Sequence, residues 1–136
     1  MGLLLRRVTW AQRPDPTLFA ARLSARLGVE VKIGIRAVAP PLPGDEAIDT
    51  AIDFVSPRDL VTCMDAQEWG PRGGRVLCML GAYPDDLSGA VVLTLVELGA
   101  RFEGEVRPTW QGTLAEIRAR HTLGARLRRW LGREPA

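Results

Sequence analysis

At 136 residues, 46% apolar and 25% charged, with a formal charge of +2, the chain has the size and balance of one ordinary globular domain, long enough for one core and too short for two. No apolar run approaches the roughly 20 residues of a membrane span; the stretch 90–96 is interrupted by Thr94, and Leu3-Leu4-Leu5 precedes Arg6 and Arg7, the reverse of a signal peptide's order. One domain over 1–136, cytoplasmic and without a membrane partner, is expected.

Leu3 to Trp10 predicts an edge strand, and Asp15-Pro16-Thr17 an N-cap with proline at the first helical position. The helix should run to Leu27, bury Phe19, Leu23 and Leu27, and stop at Gly28. Val29, Val31, Ile33, Ile35 and Ala37 then alternate with polar residues, the pattern of a half-buried strand ended by Pro40 and Pro41. Residues 45–55 fit both periods; the β-branched content favours a strand.

Ser56-Pro57-Arg58-Asp59 reads as a capping box that opens a helix to about Glu68. After the Gly70–Gly74 loop, Arg75 to Leu80 is apolar enough on both sides for an interior strand. Pro84, Asp85 and Asp86 start a helix to Leu98 that is apolar nearly all round, and hence the most buried. Phe102 and Val106 suggest a last strand. A second capping box, Thr113 to Glu116, opens a terminal helix in which Leu114, Ile117, His121, Gly124, Leu127 and Leu131 share a stripe. Two strand-helix-strand units, each with Leu-Gly at the helix end (Leu27-Gly28 and Leu98-Gly99), predict an α+β fold: a two-layer sandwich, ferredoxin-like or similar, with helices on one face of a mostly antiparallel sheet.

The chemistry-bearing residues are sparse. Cys63, Cys78 and His121 are the chain's whole complement of Cys and His, too few for a zinc site, and no glycine-rich phosphate loop opens a helix. No metal, cofactor or catalytic set is expected. The cysteines read as reduced small hydrophobes and His121 as a structural histidine satisfied by one hydrogen bond. Trp10, Trp69, Trp110 and Trp130 fall at element ends, as core lids or interface anchors.

Charge is unevenly spread along the chain. Residues 41–70 hold seven acids against Arg58, whereas 117–136 hold six arginines against Glu134. The acidic segment predicts a surface for a protein with a basic face, through Asp49, Asp53, Asp65, Glu68 and Trp69. The alternative is nucleic-acid binding by Arg126, Arg128 and Arg129 of the last helix. A small enzyme or ligand-binding domain, its pocket assembled from distant residues, is a further alternative.

The passage from Tyr83-Pro84-Asp85-Asp86-Leu87 to Leu98-Gly99-Ala100-Arg101-Phe102-Glu103-Gly104 resembles one met in small bacterial α+β proteins, including immunity proteins of polymorphic toxin systems. The resemblance implies a single-domain protein that neutralises a toxin by binding it, and carries no binding residues across.

Overall fold

Among the described residues, five strands pair into one antiparallel sheet: β1 (Leu4–Thr9), β2 (Lys32–Ala37), β3 (Thr50–Ser56), β4 (Met64–Trp69) and β5 (Gly73–Cys78), in the spatial order β1-β5-β4-β3-β2. The helices are α1 (Pro16–Leu27), α2 (Arg58–Cys63), α3 (Pro84–Glu97) and α4 (Leu114–Gly132), with a 3-10 turn at Pro108–Trp110. The structure, a computed structural model, describes residues 4–42, 47–78 and 83–132, without the side chains of 65, 66, 124–126, 128, 129 and 132.

Strands β2 to β5 form a meander, and β1 adds to β5 at the far edge. Alternation along each strand sorts the two faces. Val8, Val76, Ile52 and Trp69 point to one side and build the core with Phe19 and Leu23 of α1, Leu60 of α2, Val91 and Leu95 of α3, and Leu114 and Ile117 of α4. Leu5, Arg7, Arg36 and Val55 point to the other side and are exposed. The molecule is thus an α+β two-layer sandwich with helices on one face of the sheet.

Local signals account for most of this. Asp15 accepts from the Thr17 N–H, Pro16 opens α1, and Gly28 ends it at φ +71° with its N–H on the Ser24 carbonyl. Phe19, Leu23 and Leu27 are fully buried, each worth about 2 kcal/mol. Residues Thr50–Ser56 are a strand, as their β-branched content suggests.

Two stretches differ from the sequence reading. The helix after Ser56 stops at Cys63, and Met64–Trp69 is β4. Here strand pairing on both sides, with β3 and with β5, overrides the helical preference of Ala66-Gln67-Glu68. Nor does Ser56 cap α2: it pairs with Lys32 in the sheet, and Pro57 stands at the N-cap without a side-chain bond. Farther on, 102–106 is no strand; one bridge joins Thr9 to Arg101, and Phe102 turns inward against Trp110, ring centroids 5.7 Å apart.

Helix α3 is the centre of the helical layer, with Leu87 to Val92, Thr94 and Leu95 all buried. It packs closely at Gly89, where an added Cβ would lie 2.0 Å from Trp110 Cγ. In an open helix Gly→Ala gains up to about 1 kcal/mol, but here the buried indole would have to move, which costs typically 1–3 kcal/mol or more. Gly89→Ala is therefore expected to lower the thermal midpoint; a rise on calorimetry would contradict this packing.

Gln67 is fully buried on the core face of β4, and neither of its amide atoms has a hydrogen-bond partner. An unsatisfied buried amide costs about 1–3 kcal/mol. Gln67→Met, close in shape and without that demand, is expected to raise the urea midpoint with an unchanged slope.

Candidate functional site

The described acids of the acidic segment are paired rather than displayed as a block. Cross-strand and loop partners meet them: Arg13 donates to Asp49 at 2.9 Å, Arg36 to Asp53 at 2.7 Å, and Arg75 lies 3.4 Å from Glu68. Arg13 and the Thr50 hydroxyl hold the Asp49 carboxyl below the usual carboxylate range. Trp69 is fully buried, edge-on to Trp10 and Phe19, so its ring is enclosed in the core rather than displayed. Asp65 sits on β4, its side chain outside the described residues. The predicted docking set is thus brought to one sheet but largely neutralised there, and its aromatic anchor belongs to the core.

A second cluster gathers where α3 begins. Tyr83, at φ +56°, turns the chain into the helix, and Asp85 and Asp86 occupy its first turn, where the helix dipole favours acids. Asp85 accepts from Arg6 at 2.5 Å and from the Trp110 indole at 3.1 Å; Arg6 also donates to Ser88 and lies 4.5 Å above the Trp110 ring. Asp86, almost buried, is 2.9 Å from His121 Nε2 and 3.6 Å from Arg120. His121 keeps a hydrogen-bond partner as expected, though its side chain is 44% exposed and its ring lies 4.7 Å from that of Tyr83, tilted by 41°. Carboxylates bound to arginine, indole and imidazole in this way tie β1, α3 and α4 together.

Cys63 and Cys78 are both buried and their sulfurs lie 3.0 Å apart. An open groove of about 520 Å³ runs beside β1, lined among others by Leu5, Arg6, Arg101 and Phe102; a shallower depression lies between Arg22, Arg26 and Glu97. Neither of the two contains His121 or a cysteine, so the residues best suited to nucleophilic chemistry face no substrate-sized space there. Among the described residues no group of three or more His, Cys, Asp or Glu could hold a metal ion, and no helix is long and apolar enough to cross a membrane.

Helix α4 divides into two halves that differ in burial. Its start is capped as predicted: Glu116 accepts from the Thr113 N–H at 3.3 Å, and the Thr113 hydroxyl accepts from the Glu116 N–H at 3.2 Å. Leu114 and Ile117 are fully buried, Arg118 holds Asp59 of α2, and Arg120 donates to the Thr109 carbonyl at 2.9 Å. Beyond His121 the described large apolar side chains are exposed. Leu123, Leu127, Trp130 and Leu131 are 59%, 52%, 61% and 59% exposed.

The expected single stripe on α4 is therefore corrected. With about 100° per residue, the line through Leu123, Leu127, Trp130 and Leu131 stands roughly 120° around the helix from the docked line through Leu114, Ile117 and His121. Leu127 and Leu131 belong to this displayed face, and of the four tryptophans only Trp130 is exposed. The sequence signal that separates the two faces was the phase of the leucines. Arg126, Arg128 and Arg129 share these turns of helix, their side chains outside the described residues.

The chain matches no known family model, and neither a curated protein nor a solved structure shows significant similarity to it.

The Arg118–Asp59 pair offers a pH test of how α4 is anchored. The Arg118 guanidinium donates to Asp59 and holds its carboxyl below the ordinary value. A depressed folded pKa means stability that is fully present above the unfolded value, roughly 4, and lost as pH falls through the folded one. Asp59→Asn is expected to cost up to about 1 kcal/mol at neutral pH, with the difference from the parent closing in acid. A difference that persists unchanged when Asp59 is protonated would exclude the pair as its cause.

Proposed function

We propose that the protein is a non-enzymatic binding domain that engages an acidic protein partner through the outer half of α4. The single observation behind this reading is the exposed face of Leu123, Leu127, Trp130 and Leu131. Their spacing of four, seven and eight residues is that of an amphipathic helix laid into a groove. Each large apolar side chain left in water forgoes about 1.5–3 kcal/mol of burial, and Trp with flanking Arg is the composition of interface anchors.

Charge selects the partner's chemistry. No acid occurs between Glu116 and Glu134, while six arginines do. A second copy docked on the same face would bring those arginines against one another, which like-charge repulsion disfavours. Nucleic acid would satisfy the arginines and leave three leucines and a tryptophan without an apolar surface to cover them. A groove with acidic rims meets both needs. Neutralisation of a partner by occupying its surface, as an immunity or antitoxin protein does, is one form of this activity.

The test compares the parent with a Leu127→Ser/Trp130→Ser variant as bait in nuclease-treated lysate, alongside titrations with a DNA duplex and with anionic phospholipid vesicles. The expected result is a stoichiometric acidic protein held by the parent and lost by the variant, whose thermal midpoint stays within a degree or two because these side chains are exposed. Equal capture by both baits would overturn the α4 site. Salt-labile binding of the duplex without a protein, or binding of vesicles alone, would replace the reading with nucleic-acid or lipid recognition.

A further inference from the structure

Cys63 and Cys78 take no part in the docking face, yet their placement is unusual for two inert hydrophobes. Cys63 is the last residue of α2, and Cys78 is the last residue of β5, paired in register with Met64, the first residue of β4. Both residues are fully buried, and the two sulfurs are 3.0 Å apart. Cys78 Sγ also lies 3.3 Å from the Cys63 carbonyl and 3.4 Å from the Pro84 carbonyl at the start of α3. A hydrophobic core needs none of this: an alanine or valine fills space without requiring a second sulfur beside it.

We propose that Cys63 and Cys78 are a reversible dithiol–disulfide pair, oxidised by peroxide to a covalent tie between the end of α2 and the end of β5. Burial selects the oxidant class. A bulky disulfide such as oxidised glutathione cannot bring its sulfur to a fully buried thiol, whereas hydrogen peroxide is little larger than water. The roles of the two sulfurs differ as well. The hydrogen bond from Cys63 pulls the Cys78 thiol below its ordinary value, with Arg6 adding to this, while the same bond and burial push Cys63 up. Cys78 is therefore the thiolate that reacts first, since the thiolate is the nucleophile.

The balance is simple. Cys78 thiolate attacks one oxygen of hydrogen peroxide, an S–O bond forms as the O–O bond breaks, and hydroxide leaves; Cys78 becomes a sulfenic acid. The Cys63 thiol then gives its proton to the departing hydroxyl as its sulfur displaces it from Cys78, forming the S–S bond and water. The hydroxide takes up the proton that Cys78 gave up on ionising, so two thiols are oxidised and one peroxide is reduced to two waters. Because the step removes the S–H beside the Pro84 carbonyl, it alters the contact next to Asp85 and Asp86, the acids that hold Arg6, Trp110, Arg120 and His121.

The folded protein is treated with hydrogen peroxide, unfolded in the presence of an alkylating agent and examined by intact mass and peptide mapping. The expected product is a monomer lighter by about 2 Da, the two hydrogens lost on disulfide formation, with a 63–78 cross-linked peptide that dithiothreitol reverses. In Cys63→Ala the cross-link is absent, and a sulfenic acid on Cys78, heavier by about 16 Da, is trapped by a 1,3-diketone. Two outcomes overturn the proposal: full alkylation of both cysteines in the peroxide-treated folded parent under conditions that cross-link the urea-unfolded chain, or disulfides that join separate chains. The parent alone decides between these outcomes, so the result stands even where the alanine variant folds poorly.

Discussion

Burial of α3 on every side is the constraint to which the rest of the structure answers. A helix with no polar face must be enclosed by other elements, and here the sheet, α1 and Trp110 enclose it. The enclosure leaves no room for a side chain at Gly89, because the indole of Trp110 occupies that space. Only the helix ends can carry charge. At the first turn Asp85 and Asp86 collect Arg6, Trp110, Arg120 and His121, and near the last Arg26 reaches Thr94 and Glu97. The polar contacts that fix β1, α1 and α4 thus sit at the two ends of one apolar rod.

Charge counted along the chain and charge displayed on the surface are different quantities in this fold. Pairing β2 with β3 sets Arg36 beside Asp53, and pairing β4 with β5 sets Arg75 beside Glu68. Asp53 and Glu68 come from different stretches of sequence than their arginine partners and cancel across the ladder, where opposite-charge pairs are stabilising. On the outer half of α4 the described side chains Leu123, Leu127, Trp130 and Leu131 are exposed, and the sequence sets Arg126, Arg128 and Arg129 among them.

The legible parts of the sequence were those governed by local chemistry. Asp15-Pro16, Gly28 and the Thr113–Glu116 box each state a helix boundary within four residues, and the sandwich layering follows from period and burial. Residues 64–69 were not legible because their conformation is set by strands on both sides rather than by their own preferences. Trp69 shows the same limit at a single side chain: its position beside acids suggested a surface, and only the alternation of β4 sends it inward against Phe19. For the candidate site, the arginines of α4 were evident, whereas the displayed leucines were hidden by a stripe that drifts around the helix.

An open five-stranded sheet leaves two lateral borders, and this protein treats them differently. At the β1 border, Thr9 exchanges both backbone bonds with Arg101, at 3.0 and 2.7 Å, so a segment from the far end of α3 closes part of the ladder. The β2 border has Lys32 and Arg36 along it and a register irregularity at Lys32/Ile33, features that resist edge-to-edge growth. Between those two charges Ile35 stands 57% exposed. At this short border two cationic side chains flank one bare isoleucine, so a strand from another copy that added to β2 would bring its own Lys32 and Arg36 against them, a cost that the start of a fibril would have to meet.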